Sequence, residues 1–178
     1  RGVALLRGIN LNGRNALSMP ALKQMVEDAG GRDVVTYIAS GNVVFTMPAA
    51  QYATLHEVLE ARILADTGMK VPIVLRTAEQ LAKVVAHPEL GEEPEGKKRY
   101  VMFLSTTPTA AQVAALDPDR SPGDRFVVDG SEVYLCLTSA ADTKITNTWI
   151  DKLLQTTSTS RNRNTARKLL ALCDPSLG

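Results

Sequence analysis

The chain has little cysteine, few aromatic side chains and almost no net charge. Two cysteines in 178 residues exclude a disulfide-stapled mini-protein. A chain of this length buries roughly 70% of its unfolded surface and needs no such cross-links. The sequence also lacks a run of about 20 apolar residues and a charged-apolar-small signal segment at its start, so we expect a cytoplasmic protein that does not enter a membrane.

The charge balance limits the possible partners. Twenty Lys and Arg residues face nineteen Asp and Glu residues, which leaves a formal net charge of +1. This argues against bulk electrostatic binding to nucleic acid or membranes, because such affinity needs many unbalanced cations. RNA-recognition domains stack bases on aromatic side chains of their two central strands. Here the first strand, Val3–Leu6, has no aromatic residue and the third offers only Phe45, so a base-stacking sheet is not expected.

Residues suited to metal binding or catalysis are sparse and scattered. His56 and His87 lie far apart, and neither has a partner at the spacing of a metal site. Cys136 and Cys173 fit buried apolar positions of a strand and a helix. The sequence therefore predicts no metal and no cofactor, and it leaves open whether the protein is an enzyme.

Hydrophobic patterns in the first half predict the element order βαββαβ. Val3–Leu6 is a buried strand, and Ser18 is the N-cap of an amphipathic helix. Two β-rich runs flank the Ser40-Gly41 turn as a hairpin. A helix over Leu55–Ile63 and a strand over Val71–Leu75 follow. This order is that of the ferredoxin-like fold.

The second half is a looser copy of the first. Tyr100–Leu104 is a strand, Asp129-Gly130 forms a hairpin turn, and Asp142 caps the next helix. Ala166–Cys173 has the spacing of a further amphipathic helix. We predict an α+β protein made of two duplicated ferredoxin-like halves with an extra C-terminal helix. The expected division is 1–77 for the first half, 78–98 for a connecting helix and charged linker, and 99–178 for the second half.

Three stretches of the sequence are distinctive. They are Ala4–Asn10 with Gly13-Arg14-Asn15, Thr36–Ile38 with Ser40–Phe45, and Arg161-Asn162 with Asn164-Thr165. In these stretches the chain resembles the bacterial family known as domain of unknown function 1697. The resemblance implies two ferredoxin-like domains in one chain, and it implies no activity because the family has none established. The chain departs from the family pattern at Arg14, at Arg163 and over Thr143-Lys144-Ile145.

A first polar cluster is expected where the first strand and the hairpin meet. The right-handed βαβ crossover places the loop after the first strand and the hairpin turn at the same end of the sheet. Guanidinium, amide and backbone N–H donors there suit an oxyanion. The candidate ligand-binding residues are Arg7, Asn10, Asn12, Arg14, Asn15, Ser40 and Asn42. The alternative is that the amides and glycines only shape turns.

The same loop is similar in sequence to the phosphate-binding loop of nucleoside triphosphatases but differs from it at the two residues that end the motif. Gly8–Asn15 spells G-x-x-x-x-G-R-N, in which Arg14 and Asn15 replace the Lys and the Ser or Thr that hold phosphate and magnesium. The predicted helix also begins later, at Ser18. We therefore do not expect a triphosphatase site.

A second polar cluster lies near the end of the chain. Thr156–Thr165 is a run of Thr, Ser, Arg and Asn, and no acid occurs between Asp151 and Asp174. Arg161, Asn162 and Asn164 are the candidate anion ligands there. The alternative is a well-capped loop beside a solvated helix face.

These patterns favour a binding module for a phosphate-bearing or other anionic ligand, either a nucleotide or a nucleic acid. Two alternatives stay open. One is an enzyme that acts on such a ligand with a base supplied from elsewhere in the fold. The other is a structural or interaction protein whose polar loops only join the two halves.

Overall fold

All strands but one of those described form where apolar and β-branched residues predict them, and helices pack against each sheet. The structure is a computed structural model, and it describes residues 1–11 and 16–174. The strands are β1 Gly2–Leu6, β2 Arg32–Tyr37, β3 Asn42–Thr46, β4 Ile73–Thr77, β5 Lys98–Leu104, β6 Arg125–Asp129, β7 Glu132–Leu137 and β8 Ser158–Asn162. The helices are α1 Met19–Asp28, α2 Ala49–Tyr52, α3 Leu55–Thr67, α4 Ala78–Ala86, α5 Ala110–Ala114, α6 Asn147–Leu154 and α7 Arg163–Cys173, with a 3₁₀ turn at Pro88–Leu90.

The predicted α+β class is confirmed. The described strands form two four-stranded antiparallel sheets, with the orders β2-β3-β1-β4 and β6-β7-β5-β8. The chain divides into two compact units, Arg1–Leu81 with the segment from Lys168, and Ala82–Arg167. The division falls inside α4 and inside α7. No helix within 1–11 and 16–174 is both long enough and apolar enough to cross a membrane.

In the first unit, β1 is buried along its whole length, as its apolar run predicts. Ala4 and Leu6 point into a core that α1 and α3 cover with Leu22, Leu59 and other apolar side chains. The predicted N-cap of α1 is confirmed, because the Ser18 hydroxyl accepts a hydrogen bond from the Ala21 N–H at 3.2 Å.

In the second unit, one core cluster lies on the face of the sheet that α6 covers. Met102 and Leu104 of β5 and Leu135 of β7 pack there against Ile150 and other apolar residues of α6. The predicted hairpin joins β6 to β7, with Gly130 and Ser131 as its turn and Asp129 paired with Glu132.

Two local predictions for the second unit are wrong. The sequence predicts no strand within the polar run Thr156–Thr165, whereas residues 158–162 form strand β8 beside β5. All five of its side chains are polar, so the apolar alternation of a half-buried strand is missing. The predicted cap Asp142 lies outside α6. Its carboxylate accepts from the Ser139 hydroxyl at 2.6 Å, and Thr146 caps α6 instead.

Candidate functional site

The loop after β1 and the β2–β3 turn lie side by side in the first unit. We call residues 7–10 and 38–42 the β1 rim. The Leu6 N–H donates to the Gly41 carbonyl at 2.8 Å, and the Asn10 side chain donates to the Ala39 carbonyl at 2.8 Å. The structure therefore brings these two segments together, as the crossover geometry predicts.

Asn10 holds the loop in place with its amide. Its Nδ2 also donates to the Leu17 carbonyl at 2.9 Å, and its Oδ1 accepts from the Leu17 N–H at 2.9 Å. Its backbone is left-handed, with φ of 54°, a conformation that Asn tolerates better than most residues. Asn10 thus binds to Leu17, near the end of its own loop, and to the hairpin.

Asn42 and Ser40 order the hairpin turn. Asn42 is fully buried, and its Nδ2 donates to the Tyr37 carbonyl and to the Ser40 hydroxyl, each at 3.0 Å. Ser40 is exposed. The buried amide therefore fixes the position of a hydroxyl that reaches solvent.

Gly41 allows the hairpin to approach β1. Its φ is 83°, and an added Cβ would lie 2.6 Å from the Leu6 Cβ and 2.9 Å from the Ile9 Cδ1. Ile38 in the same turn also has a positive φ, of 49°, which strains a β-branched residue. Strain of this kind clusters at functional sites, where the surrounding contacts enforce it.

The charge of the rim segments is positive. No Asp or Glu occurs in residues 1–26 or 34–56, whereas Arg7 is half-buried directly after β1. Two apolar side chains beside these polar groups are exposed: Leu11 is 58% exposed and Ile38 is 51% exposed. The predicted ligand residues Asn12, Arg14 and Asn15 lie outside the described residues.

The second predicted cluster lies at the β8–α7 junction. Arg161 is buried, and its Nη1 donates to the Thr159 hydroxyl at 2.8 Å and to the Ser160 carbonyl at 2.7 Å. Burial lowers the pKa of the Arg161 guanidinium from 12.5 to about 10. Asn162 caps α7, because its Oδ1 accepts from the Thr165 N–H at 2.8 Å. Asn164 is exposed in the first turn of α7.

Sequence reasoning missed a chain of hydrogen bonds between α6 and β8. It links Ser160, Asn147, Ser158 and Asp151 beside a cavity of about 240 Å³. These hydrogen bonds were missed because no strand was expected within Thr156–Thr165. The one strand signal in that segment was its β-branched threonines.

His87 serves the local structure. Its Nδ1 accepts from the Glu89 N–H at 3.2 Å, and its Nε2 lies 3.3 Å from an Asp129 carboxylate oxygen. The ring stacks on Tyr134 with centroids 3.9 Å apart. In residues 1–11 and 16–174, no group of three or more His, Cys, Asp or Glu side chains is placed to hold a metal ion.

A family model described as "Protein of unknown function (DUF1697)" matches residues 1–134. The chain belongs to the DUF1697 family. The solved structure of the conserved bacterial protein SP0830 from Streptococcus pneumoniae has a similar fold, with a TM-score of 0.70 and 22% sequence identity. The match covers 97% of this chain and 98% of that one. No curated protein matches the sequence. The predicted family is thus confirmed, and neither similarity assigns a ligand or a reaction.

Proposed function

We propose that this DUF1697 protein is a binding module for a phosphate-bearing ligand, which it holds at the β1 rim. The observation that supports this most is the charge of the rim, where cationic side chains meet two segments without any carboxylate. The two segments contribute no like charge of their own to an anion, and the carboxylate that comes nearest to the end of β1 in the contacts described, Glu60, accepts from the Ile73 N–H at 2.8 Å. Gly8 and Asn10 also have left-handed backbones, the conformation that occurs in the backbone N–H nests that bind anions.

The residues of the rim divide into two roles in this proposal. Arg7 and Ser40 supply donors to the ligand, and Arg14, which joins them on sequence grounds alone, supplies a second guanidinium. The side-chain amides of Asn10 and Asn42 form hydrogen bonds to backbone carbonyls and to a hydroxyl group, so these two residues position the loop and the turn. Such preorganisation lowers the entropy lost when the ligand binds. Asn12 and Asn15 add amide donors on the same sequence grounds.

The exposed side chains favour a nucleotide over inorganic phosphate. Leu11 and Ile38 place apolar surface next to the polar rim. A nucleotide presents both a phosphate and the flat face of a base, so it matches this combination. Inorganic phosphate leaves the apolar surface uncovered.

We also infer that the chain is a duplication of a ferredoxin-like unit. Both sheets have the same strand order, with the first strand of each half between its third and fourth strands. Arg76 of β4 faces Val3, and Arg161 of β8 faces Val101, so a buried arginine takes the same register position in each half. Each donates from Nη1 to the carbonyl of the preceding residue.

The residue after each arginine supports the same inference. Thr77 accepts from the Gln80 N–H at 3.2 Å and begins α4, and Asn162 accepts from the Thr165 N–H and begins α7. Each half therefore ends in a strand followed directly by a capped helix. On this inference the junction between the halves follows α4, inside the predicted connection 78–98.

A structural role is the second candidate function. The internal hydrogen bonds of Asn10 and Asn42 favour it, because polar side chains satisfied inside a protein have little left for a ligand. On this alternative the rim stabilises the first unit and binds nothing.

Thermal unfolding separates the two candidates. The wild type, Arg7→Ala, Arg14→Ala and the control Lys152→Ala are unfolded with phosphate, adenosine, AMP or a short single-stranded oligonucleotide. Lys152 is an exposed cation on α6 and outside the rim. A specific ligand at about 100 times its Kd adds about 2.7 kcal/mol of stability. At about 2–4 °C per kcal/mol, the midpoint rises by roughly 5–10 °C.

We expect AMP or the oligonucleotide to raise the midpoint of the wild type and of Lys152→Ala. The rise disappears in Arg14→Ala and shrinks in Arg7→Ala, because each loses a donor to the phosphate. The structural alternative predicts no rise with any ligand, together with a lower midpoint for the arginine variants in buffer alone.

A further inference from the structure

A cavity of about 240 Å³ lies in the second unit, between the sheet that contains β5 and β7 and the segment that leads into α6. Met102, Leu135, Leu137 and Ile145 provide much of its wall, and no Asp, Glu, Lys, Arg or His is among the described residues that line it. An engineered apolar cavity of about 150 Å³ holds benzene. The larger volume here admits one substituted ring, and the uncharged wall favours a neutral one, because an unpaired charge is costly to bury.

Tyr100, Thr143 and Thr146 also line the cavity, and a chain of hydrogen bonds that ends on a carboxylate forms a further polar part of its wall. Ser158 Oγ lies 2.6 Å from Asp151 Oδ1, Asn147 Nδ2 lies 2.7 Å from Ser158 Oγ, and Ser160 Oγ lies 3.0 Å from Asn147 Oδ1. Asn147 and Ser160 line the cavity.

The carboxylate sets the direction of every bond in this chain. An ionised Asp151 only accepts, so the Ser158 hydroxyl donates to it and must accept from Asn147. The Asn147 NH₂ group therefore faces Ser158, and its oxygen faces Ser160. The Ser160 hydroxyl then gives its proton to Asn147. Asp151, though outside the cavity lining, thus fixes the hydrogen-bonding character of Ser160.

The two lining residues consequently offer one acceptor and one donor. Ser160 Oγ keeps its lone pairs for a ligand, and the Asn147 amide keeps the second of its two N–H groups. We propose that this cavity binds a small neutral single-ring molecule with an N–H beside a C=O, as in a lactam or a pyrimidine base. The ring fills the apolar wall, its N–H donates to Ser160, and its carbonyl accepts from Asn147. This site lies in the second unit and does not depend on the β1 rim.

The test compares ring-sized probes by ligand-observed NMR and titration. The probes are 2-pyridone, which has the donor and acceptor pair, toluene, which has neither, and benzoate, which is charged. We expect 2-pyridone to bind about tenfold tighter than toluene, as one or two net hydrogen bonds provide. Benzoate binds weakest. Equal affinities for the three probes, or no binding of 2-pyridone, would overturn the proposal.

Variants locate the binding and test the direction of the chain. Ala140→Trp fills the mouth of the cavity from an exposed lining position and abolishes binding of 2-pyridone and toluene. In Asp151→Asn the new amide can donate as well as accept, so the hydrogen bonds from Ser158 to Ser160 can reverse their direction. The ratio of the 2-pyridone affinity to the toluene affinity then falls to about one, while toluene still binds. Asp119→Asn, at an exposed acid of the same unit, keeps the advantage.

Ser160→Ala removes the acceptor directly and serves as a second variant if Asp151→Asn does not fold. It also abolishes the preference for 2-pyridone over toluene. Binding that survives Ala140→Trp lies elsewhere and contradicts the site. A preference that survives both Asp151→Asn and Ser160→Ala contradicts the hydrogen-bonding argument.

Discussion

Substitution of Gly41 by alanine tests how closely the β2–β3 turn is held against β1. The new methyl group meets two side chains that have no room to move. Leu6 is fully buried and Ile9 is 2% exposed, and the added Cβ would approach them to 2.6 and 2.9 Å. The hairpin must therefore shift, and the hydrogen bond from the Leu6 N–H to the Gly41 carbonyl weakens with it.

The loss of stability has two parts. A left-handed alanine costs about 1–2 kcal/mol relative to an allowed conformation. Overpacking of a filled core adds about 1–3 kcal/mol. We expect Gly41→Ala to lower the free energy of unfolding by about 2–5 kcal/mol on these two grounds.

Gly68→Ala is the matched control. Gly68 ends α3 with a similar φ of 73°, but an added Cβ there has no atom within 4 Å. Gly68→Ala therefore has only the cost of a left-handed alanine. Urea unfolding followed by circular dichroism should show an unfolding free energy about 1–3 kcal/mol lower for Gly41→Ala than for Gly68→Ala. Equal losses for Gly41→Ala and Gly68→Ala would refute the close approach of the hairpin to β1.

Three further predictions concern stability. Asn162→Ala removes the cap of α7 and lowers the free energy of unfolding by about 1 kcal/mol. Asn164→Ala, at an exposed position, changes it by less than about 0.5 kcal/mol. Urea unfolding of both variants measures the difference, and equal losses would contradict the capping role of Asn162. Among the described residues, the buried Tyr52 hydroxyl has no hydrogen-bond partner. Tyr52→Phe is therefore expected to raise the unfolding free energy by about 1 kcal/mol, and a lower thermal midpoint would show that the hydroxyl is satisfied. Burial raises the pKa of the Cys173 thiol from 9.0 to about 11, so the unfolded chain loses this proton first and stability falls between those pH values. Unfolding measured at pH 8 and pH 11 should show a smaller loss for Cys173→Ala than for the wild type.

The sequence patterns predicted the first unit well because its strands and helices are marked by apolar periodicity and clear caps. Val3–Leu6 and Ser18 each signal their element within a few residues. Strand β8 was not predicted because all five of its side chains are polar. Its pairing with β5 and the hydrogen bonds to α6 define it, and these are long-range contacts.

The candidate site was predictable in position but not in detail. The handedness of the βαβ crossover predicts that the loop after β1 meets the hairpin, and the bond from Asn10 to Ala39 shows that it does. The sequence did not indicate that Asn10 bonds to the backbone of Leu17 and Ala39, or that Asn42 bonds to the Tyr37 carbonyl and the Ser40 hydroxyl. An amide serves a turn and a ligand equally well, so only three-dimensional contacts distinguish the two roles. The same holds for Arg161, whose burial no local pattern signals.

The most direct test of ligand binding at the β1 rim is an NMR titration of the ¹⁵N-labelled protein with AMP. The proposal predicts that the backbone amide signals of Gly8, Ser40 and Gly41 in the rim, and of the adjacent Leu11, move together and saturate at one Kd, and that Arg14→Ala abolishes these shifts. Signals of the rim that stay in place at millimolar AMP, or that move equally in Arg14→Ala, would contradict it.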